Sequence, residues 1–205
     1  AMKLNLGCGQ FKLPGYVNID KFGTPDKLID LEVFPWCEFE RVTVAGEITI
    51  RRHASSAFTT GSVDEILANH VLEHLGASVE VFIGVMKEMY RVSKPGAKIQ
   101  VNVPHPRHDF FIGDPTHVRV ITPDVLSLFS KRNCRTWAQQ GAPNSPLALF
   151  HDVDFDIISA KWILDEEWQK KLDSGHLTHD EVDQAMMRYN NVVSEIRMVL
   201  EVIKS

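Results

Sequence analysis

Two glycines flank a cysteine, Gly7-Cys8-Gly9, directly after the run Leu4-Asn5-Leu6. Glycine has no Cβ, so backbone N–H groups there can approach a ligand closely. Asp20 ends the next extended run, Tyr16-Val17-Asn18-Ile19, and a carboxylate at that point can accept both hydroxyls of a ribose. Histidine titrates near neutral pH and suits proton transfer from a hydroxyl acceptor. His70 and His74 follow one apolar run, and His105, His108 and His117 follow another together with Asp109 and Asp114. His70 and His105 are the candidate bases. The alternative for His70 is a loop residue shaping a pocket, and for His105 a ring bonded to a backbone carbonyl.

Two histidines and a carboxylate can hold a divalent ion, which raises a metal set of His105, His108, Asp109 and His117. Their spacing lies in a loop, with no helix to align the ligands, and no metal is expected. Asp114-Pro115-Thr116-His117 is read instead as ordering that loop and lining an acceptor pocket with His105 and His108. Glu73 and His74 are expected to be solvated surface or packing residues. Phe82, Met86 and Met89 form a core stripe.

The elements that must position these residues alternate. Strands are predicted at Lys3–Leu6, Tyr16–Asp20, Lys27–Leu31, Val63–Ala68 and Lys98–Val103. Apolar residues at Val79, Phe82, Ile83, Met86, Met89 and Tyr90 recur at helical spacing. Near the end, Val153-Phe155-Ile157 and Ile196-Met198-Leu200-Val202 alternate with polar residues and predict an antiparallel strand pair, with one helical excursion over about 165–190 between them. This order predicts an α/β fold: a Rossmann-like, doubly wound, mixed sheet, mostly parallel, covered on both faces. Residues 37–60 contain Arg41–Val44 and Ile48–Ile50 around Ala45-Gly46-Glu47 and predict a hairpin insert. Residues 104–150 and 165–190 are expected to form acceptor-site or cap segments, with Thr122-Pro123-Asp124 opening a short helix.

At 205 residues the chain predicts a single domain. The opening residues lack a basic region followed by an apolar block, and no apolar run is long enough for a membrane span, so a cytoplasmic location is expected. Cys8, Cys37 and Cys134 form no CxxC pair or disulfide framework, consistent with a reducing compartment. A formal net charge of −5 argues against a nucleic-acid partner. A dinucleotide site would place a third glycine where Lys12 stands and open a helix there. Pro14-Gly15 leaves too little chain before Asp20 for a crossover helix, so a ligand with ribose but no phosphates suits the loop better.

Leu4-Asn5-Leu6-Gly7-Cys8-Gly9 and Pro14-Gly15-Tyr16-Val17-Asn18-Ile19-Asp20 resemble the first motifs of class I S-adenosylmethionine-dependent methyltransferases. More specifically, they are similar to the small type 11-like enzymes found beside sugar and cell-surface polysaccharide genes. The likeness continues through Asp30-Leu31-Glu32, Val63–Ile66, Asn69-His70-Val71-Leu72-Glu73-His74, Glu88–Gly96, Val103-Pro104-His105 and Asp114–His117. It covers most of residues 3–130. The resemblance implies that Gly7, Cys8 and Gly9 line the methionine moiety of S-adenosyl-L-methionine and that Asp20 holds its ribose. Asp30 and Leu31 would meet adenine, and Asn69 and His70 would face the methyl-donor side. The chain departs from the pattern in its nearly absent first helix, in Ala97 where a second glycine is usual, and in the hairpin after the adenine strand. Asn69-His70-Val71 lacks the paired prolines and aromatic of base-amino methyltransferases.

The implied activity is methyl transfer to a small polar acceptor, such as a sugar or polysaccharide-precursor hydroxyl. A non-catalytic partner subunit that binds S-adenosylmethionine is the alternative, and a nicotinamide-dependent oxidoreductase is a more distant one.

Overall fold

In the computed structural model, which describes residues 1–204, the alternating apolar runs become strands. They are β1 (Lys3–Leu6), β2 (Val17–Asp20), β3 (Lys27–Leu28), β4 (Phe39–Val44), β5 (Glu47–Arg52), β6 (Val63–Asn69), β7 (Ser93–Pro104), β8 (Phe155–Leu164) and β9 (Val193–Val202). Seven of them form one sheet in the order β3-β2-β1-β6-β7-β9-β8. The pairings from β3 through to β7 are parallel, whereas β9 runs antiparallel to both β7 and β8. This is the expected doubly wound, mixed sheet with its antiparallel C-terminal pair. The order reverses at β1 and β6, and ligands of open α/β sheets bind at the carboxyl ends of strands flanking such a point.

Strand periodicity sorts the side chains of the central strands. Leu4, Leu6, Ile66, Ala68, Ile99, Val101, Met198 and Leu200 are all buried on one face. Against them packs α1 (Val79–Val92), through Phe82, Met86 and Met89. Ser78 caps α1 by accepting from the Val81 amide (3.3 Å). Phe129, beside α3 (Pro123–Ser127), meets Phe82 edge-on with ring centroids 6.0 Å apart and extends the same core.

The other face carries partly exposed Lys3, Glu65, Lys98, Gln100 and Glu201. These pair with one another: Lys3 with Glu65 at 2.7 Å and Lys98 with Glu201 at 3.1 Å. The β1–β2 connection is a loop, held on this second face where Asn5 Nδ2 donates to the Phe11 carbonyl (3.2 Å) and to Asn18 Oδ1 (2.9 Å).

Other boundaries differ from expectation for local reasons. The strand predicted to Leu31 ends at Leu28, because Ile29 bridges to Glu38 and Asp30 turns the chain by accepting from the Glu32 amide (3.0 Å). The excursion over 165–190 is two helices, α6 (Glu166–Asp173) and α7 (His179–Arg188), the second opened by a reciprocal Thr178–Glu181 capping box. The predicted hairpin is present, and β4 and β5 form a separate two-stranded sheet. Region 104–150 contains α2 (Asp109–Ile112), α4 (Lys131–Gln139) and α5 (Leu147–His151) in addition to α3. No helix among the described residues is long and apolar enough to cross a membrane.

Candidate functional site

A cavity of about 450 Å³ opens at the carboxyl ends of β1, β2 and β6. It is lined by Gly7, Asp20, Asp30, Leu31 and His70 from the expected set, and by Lys21, Phe22, Ile29, Val71, His74, Leu75 and Thr116. A second cavity of about 410 Å³ shares Gly7 and His70 and adds Cys8, Gly9, Leu67 and Asn69. The strand order at β1 and β6 brings these loops together.

Each wall has a local cause. Gly7 has φ +62°, and a Cβ there would lie 2.4 Å from Val71 Cγ2, so both backbone and neighbour exclude a side chain. Asp20 accepts from the Gly9 amide (2.9 Å, Oδ2) and from the Phe22 amide (2.8 Å, Oδ1). One carboxylate thus holds the glycine loop and the turn after β2, with lone pairs left over for a ligand. Leu31 is buried, and its carbonyl accepts from Trp36 Nε1 (3.1 Å). Glu32 accepts from the Gly76 amide (2.8 Å), tying the Asp30–Leu31 wall to the segment after β6. Burial pushes the Cys8 thiol pKa up, with Asp20 and Asp26 adding to the effect.

His70 has φ +51°, an uncommon backbone state for a residue with a Cβ, and its amide donates to the Asn102 carbonyl (2.9 Å). That turn swings the half-exposed ring between two carboxylates, with Nε2 2.7 Å from Glu195 Oε2 and Nδ1 3.4 Å from Glu73 Oε1. Glu73 holds the His70 pKa above its ordinary value against partial burial, and Glu195 adds to the rise. Asn69 is exposed and accepts from Asn102 Nδ2 (2.8 Å).

The remaining histidines separate into two groups. His105 and His108 line neither cavity. His105 Nδ1 accepts from the Arg107 amide (3.2 Å), and burial, then Arg107 and His108, hold its pKa below the usual histidine value. His108 is buried, caps α2 by accepting from the Phe110 amide (3.0 Å), and faces Asp165 at 3.3 Å ahead of α6. Arg107 reaches the Met187 carbonyl (3.2 Å), so this group belongs with the segment carrying α6 and α7. Asp114 and His117 instead lie beside His74, whose Nδ1 is 3.0 Å from Thr116 Oγ1. Glu73 is 1% exposed and not solvated, because the 3₁₀ turn Leu72–His74 directs it inward.

Sequence reasoning missed the apolar walls Ile29, Val71 and Leu75, together with Phe22 and Thr116. Thr116 stood within a quoted motif, and Phe22 followed the Asp20 turn. Val71 also stood within a quoted motif, whereas Ile29 and Leu75 carry no local signal of a pocket. The hairpin sits close by: Arg41 Nη2 donates to the Lys21 carbonyl (2.7 Å), and Phe39, Arg41, Ile50 and Arg52 face Lys21, Phe22 and Asp30 across a further space of about 320 Å³.

No protein-family profile and no curated protein matches the chain. Solved structures do, by fold. An S-adenosylmethionine-dependent methyltransferase from Archaeoglobus fulgidus aligns with 98% of this chain and 85% of its own, at 15% identity and a TM-score of 0.56. Another such methyltransferase, from Methanosarcina mazei, aligns with 100% and 93%, at 13% identity and a TM-score of 0.51. The 1,6-didemethyltoxoflavin-N1-methyltransferase of Burkholderia thailandensis, solved with 1,6-didemethyltoxoflavin and S-adenosylhomocysteine, aligns with 99% and 71%, at 8% identity and a TM-score of 0.50. At such identities the likeness establishes the Rossmann-like fold that these methyltransferases share with this chain.

Proposed function

We propose that the chain is an S-adenosylmethionine-dependent methyltransferase acting on a small polar acceptor. The observation that carries the reading is the Asp20 carboxylate at the rim of the cavity, bonded to the Gly9 and Phe22 amides and facing a space bounded by Gly7, Asp30 and Leu31. About 450 Å³ is within the usual range for a small-ligand site. The loop after β1 opens no helix, so it lacks the N-terminal amides that a dinucleotide pyrophosphate requires. A ligand with ribose and base but no phosphate suits the residues present.

In this reading Asp20 receives the ribose hydroxyls, and Asp30 accepts from the adenine amino group against Leu31 and Ile29. Gly7, Cys8, Gly9 and Asn69 border the methionine portion. S-adenosylmethionine supplies an electrophilic methyl when bound. The residues of the chain supply proximity and alignment, the main contributions a protein makes to an in-line displacement. His70, which borders both cavities, is the acceptor-side residue that handles the proton. His105, outside both, belongs to the outer wall of the acceptor region with His108, while Asp114 and His117 support the Thr116 side. The hairpin over 37–60 and the segments 104–150 and 165–190 shape the acceptor entrance.

We take the acceptor to be a sugar or polysaccharide-precursor hydroxyl, following the resemblance of the motifs. The test is transfer of labelled methyl from S-adenosylmethionine to a panel of sugars, nucleotide sugars and small phenols. Labelled sugar or nucleotide sugar is the expected product. With that acceptor, His70→Gln should lower turnover by about 10²–10⁴-fold, and His105→Gln much less. Binding of the cofactor without transfer to any acceptor would favour the non-catalytic alternative.

A further inference from the structure

Glu73, His74 and His117 each bring one potential ligand atom into a cluster whose three atoms lie within 4.8 Å of one another. Glu73 comes from the 3₁₀ turn after β6, and its carboxylate oxygens are fully buried with no hydrogen-bond donor. His70 Nδ1, 3.4 Å from Oε1, is close enough for charge attraction but is not aligned to donate. A buried carboxylate whose one nearby cationic group is a misaligned imidazole still has lone pairs without a donor, which is disfavoured.

Hydrogen bonds at Nδ1 orient the two imidazoles beside it. His117 Nδ1 is 2.9 Å from the Phe111 carbonyl, which can only accept, so Nδ1 is the donor and, in the neutral ring, Nε2 is the nitrogen with the lone pair. Thr116 Oγ1 donates to Asp114 Oδ1 (2.6 Å), so the hydroxyl accepts from His74 Nδ1–H (3.0 Å). In the neutral ring His74 Nε2 likewise has the lone pair. Metal-binding histidines are oriented in this way, with the far nitrogen donating to a carbonyl or a hydrogen-bonded oxygen. The rings meet edge-on at 4.6 Å between centroids, and Asp114 Oδ2 lies 3.7 Å from His117 Nε2, adding negative charge beside the cluster.

We propose that Glu73, His74 and His117 form a divalent transition-metal site at the acceptor end of the cavity. Two imidazole nitrogens and one carboxylate oxygen favour ions such as Zn²⁺ or Co²⁺ over Mg²⁺ or Ca²⁺, which prefer oxygen ligands. Bonds of about 2.0–2.1 Å place tetrahedral ligands about 3.3 Å apart, so closure on the ion draws the ligand atoms inward by about 1 Å. Three protein ligands leave a coordination position open, and His74 and Thr116 line the cavity through which the ion enters. An acceptor hydroxyl in that cavity would meet the open position. The site does not depend on the identity of the cofactor.

The test uses the full chain, stripped with a chelator and titrated with Co²⁺ and Zn²⁺. Wild type should take up about one ion per chain, as expected for one three-ligand site, and Co²⁺ should give a visible d–d absorption. Thr116→Val removes the oxygen that holds His74 Nδ1–H and should weaken Co²⁺ binding by about 10–100-fold. Glu73→Gln and His117→Asn should weaken it further, whereas His105→Asn should leave it unchanged. Circular dichroism and S-adenosylhomocysteine titration of each variant separate loss of the ion from loss of the fold or of the proposed cofactor site. Should Glu73→Gln not fold, His117→Asn and Thr116→Val carry the test. No bound ion in wild type, or an undiminished affinity in the folded ligand variants, overturns the assignment.

Discussion

Gly7→Ala isolates the contact on which both cavities depend. The residue holds φ +62°, and its added Cβ would lie 2.4 Å from Val71 Cγ2 and 2.9 Å from Val71 Cβ. A left-handed conformation costs a residue with a Cβ roughly 1–2 kcal/mol, and forcing a methyl into a filled site costs about 1–3 kcal/mol. Val71 is 7% exposed and belongs to the core, so its ring of neighbours cannot simply yield. Gly7→Ala should therefore destabilise by about 2–5 kcal/mol. Val71→Ala alone removes two methyl groups from the core and should cost about 2 kcal/mol. Combined, the new methyl takes space left by the Val71 Cγ atoms, while its 2.9 Å approach to the Cβ that position 71 keeps remains. The double variant should be more stable than the sum of the single effects by about 1–2 kcal/mol, the part of the overpacking due to the Cγ atoms, with the backbone strain and the Cβ contact remaining. Urea unfolding at constant m-value measures all four corners of the cycle. Additivity within about 0.5 kcal/mol, or a Gly7→Ala protein as stable as wild type, would refute the reasoning.

Three further outcomes follow from named contacts. Asp20→Ala removes the proposed ribose acceptor and should weaken S-adenosylhomocysteine binding by about 1.5–3 kcal/mol by calorimetry; unchanged affinity would remove Asp20 from the site. Glu88 accepts from the buried Trp36 amide (2.8 Å) and pairs with Arg91 (2.6 Å), so Glu88→Ala should destabilise by about 2–4 kcal/mol, read from the urea midpoint; a neutral result would show the pair to be dispensable. Lys12 first, then the Asn18 amide and side chain, pull the Asp26 pKa down to about 2. Because that lies below the unfolded value of about 3.9, its stabilisation is present above pH about 4 and is lost as pH falls towards 2. The gap in urea midpoint between wild type and Asp26→Asn should therefore close over that range, and a gap independent of pH would contradict the assignment.

Much of this architecture was readable along the chain because the signals are local. Leu4 and Leu6 alternate with Asn5, so the first strand and its buried face follow from periodicity, and Gly7 and Asp20 mark turns that only certain residues accommodate. The parts that were not legible depend on distant partners. α4 escaped notice because only Cys134 of its nine residues is buried, leaving no apolar stripe. Ile29 reads as strand, yet its bridge to Glu38 is made across the chain. His105, His108 and His117 look like one cluster in sequence. In the fold His105 accepts from the Arg107 amide, His108 caps α2 and faces Asp165, and His117 meets the Phe111 carbonyl. Surface and packing stay undivided for Glu73 in the sequence, because a single 3₁₀ turn has no periodicity from which burial can be read.

Calorimetric titration of the purified chain with S-adenosylhomocysteine, with NAD and NADP titrated in parallel, tests the central claim most directly. S-adenosylhomocysteine should bind one site per chain. At about 100 times its Kd it should also raise unfolding stability by about 2.7 kcal/mol, while the dinucleotides produce neither heat nor stabilisation. Binding of NAD or NADP in its place, or no binding of S-adenosylhomocysteine at millimolar concentration, would contradict the proposed function.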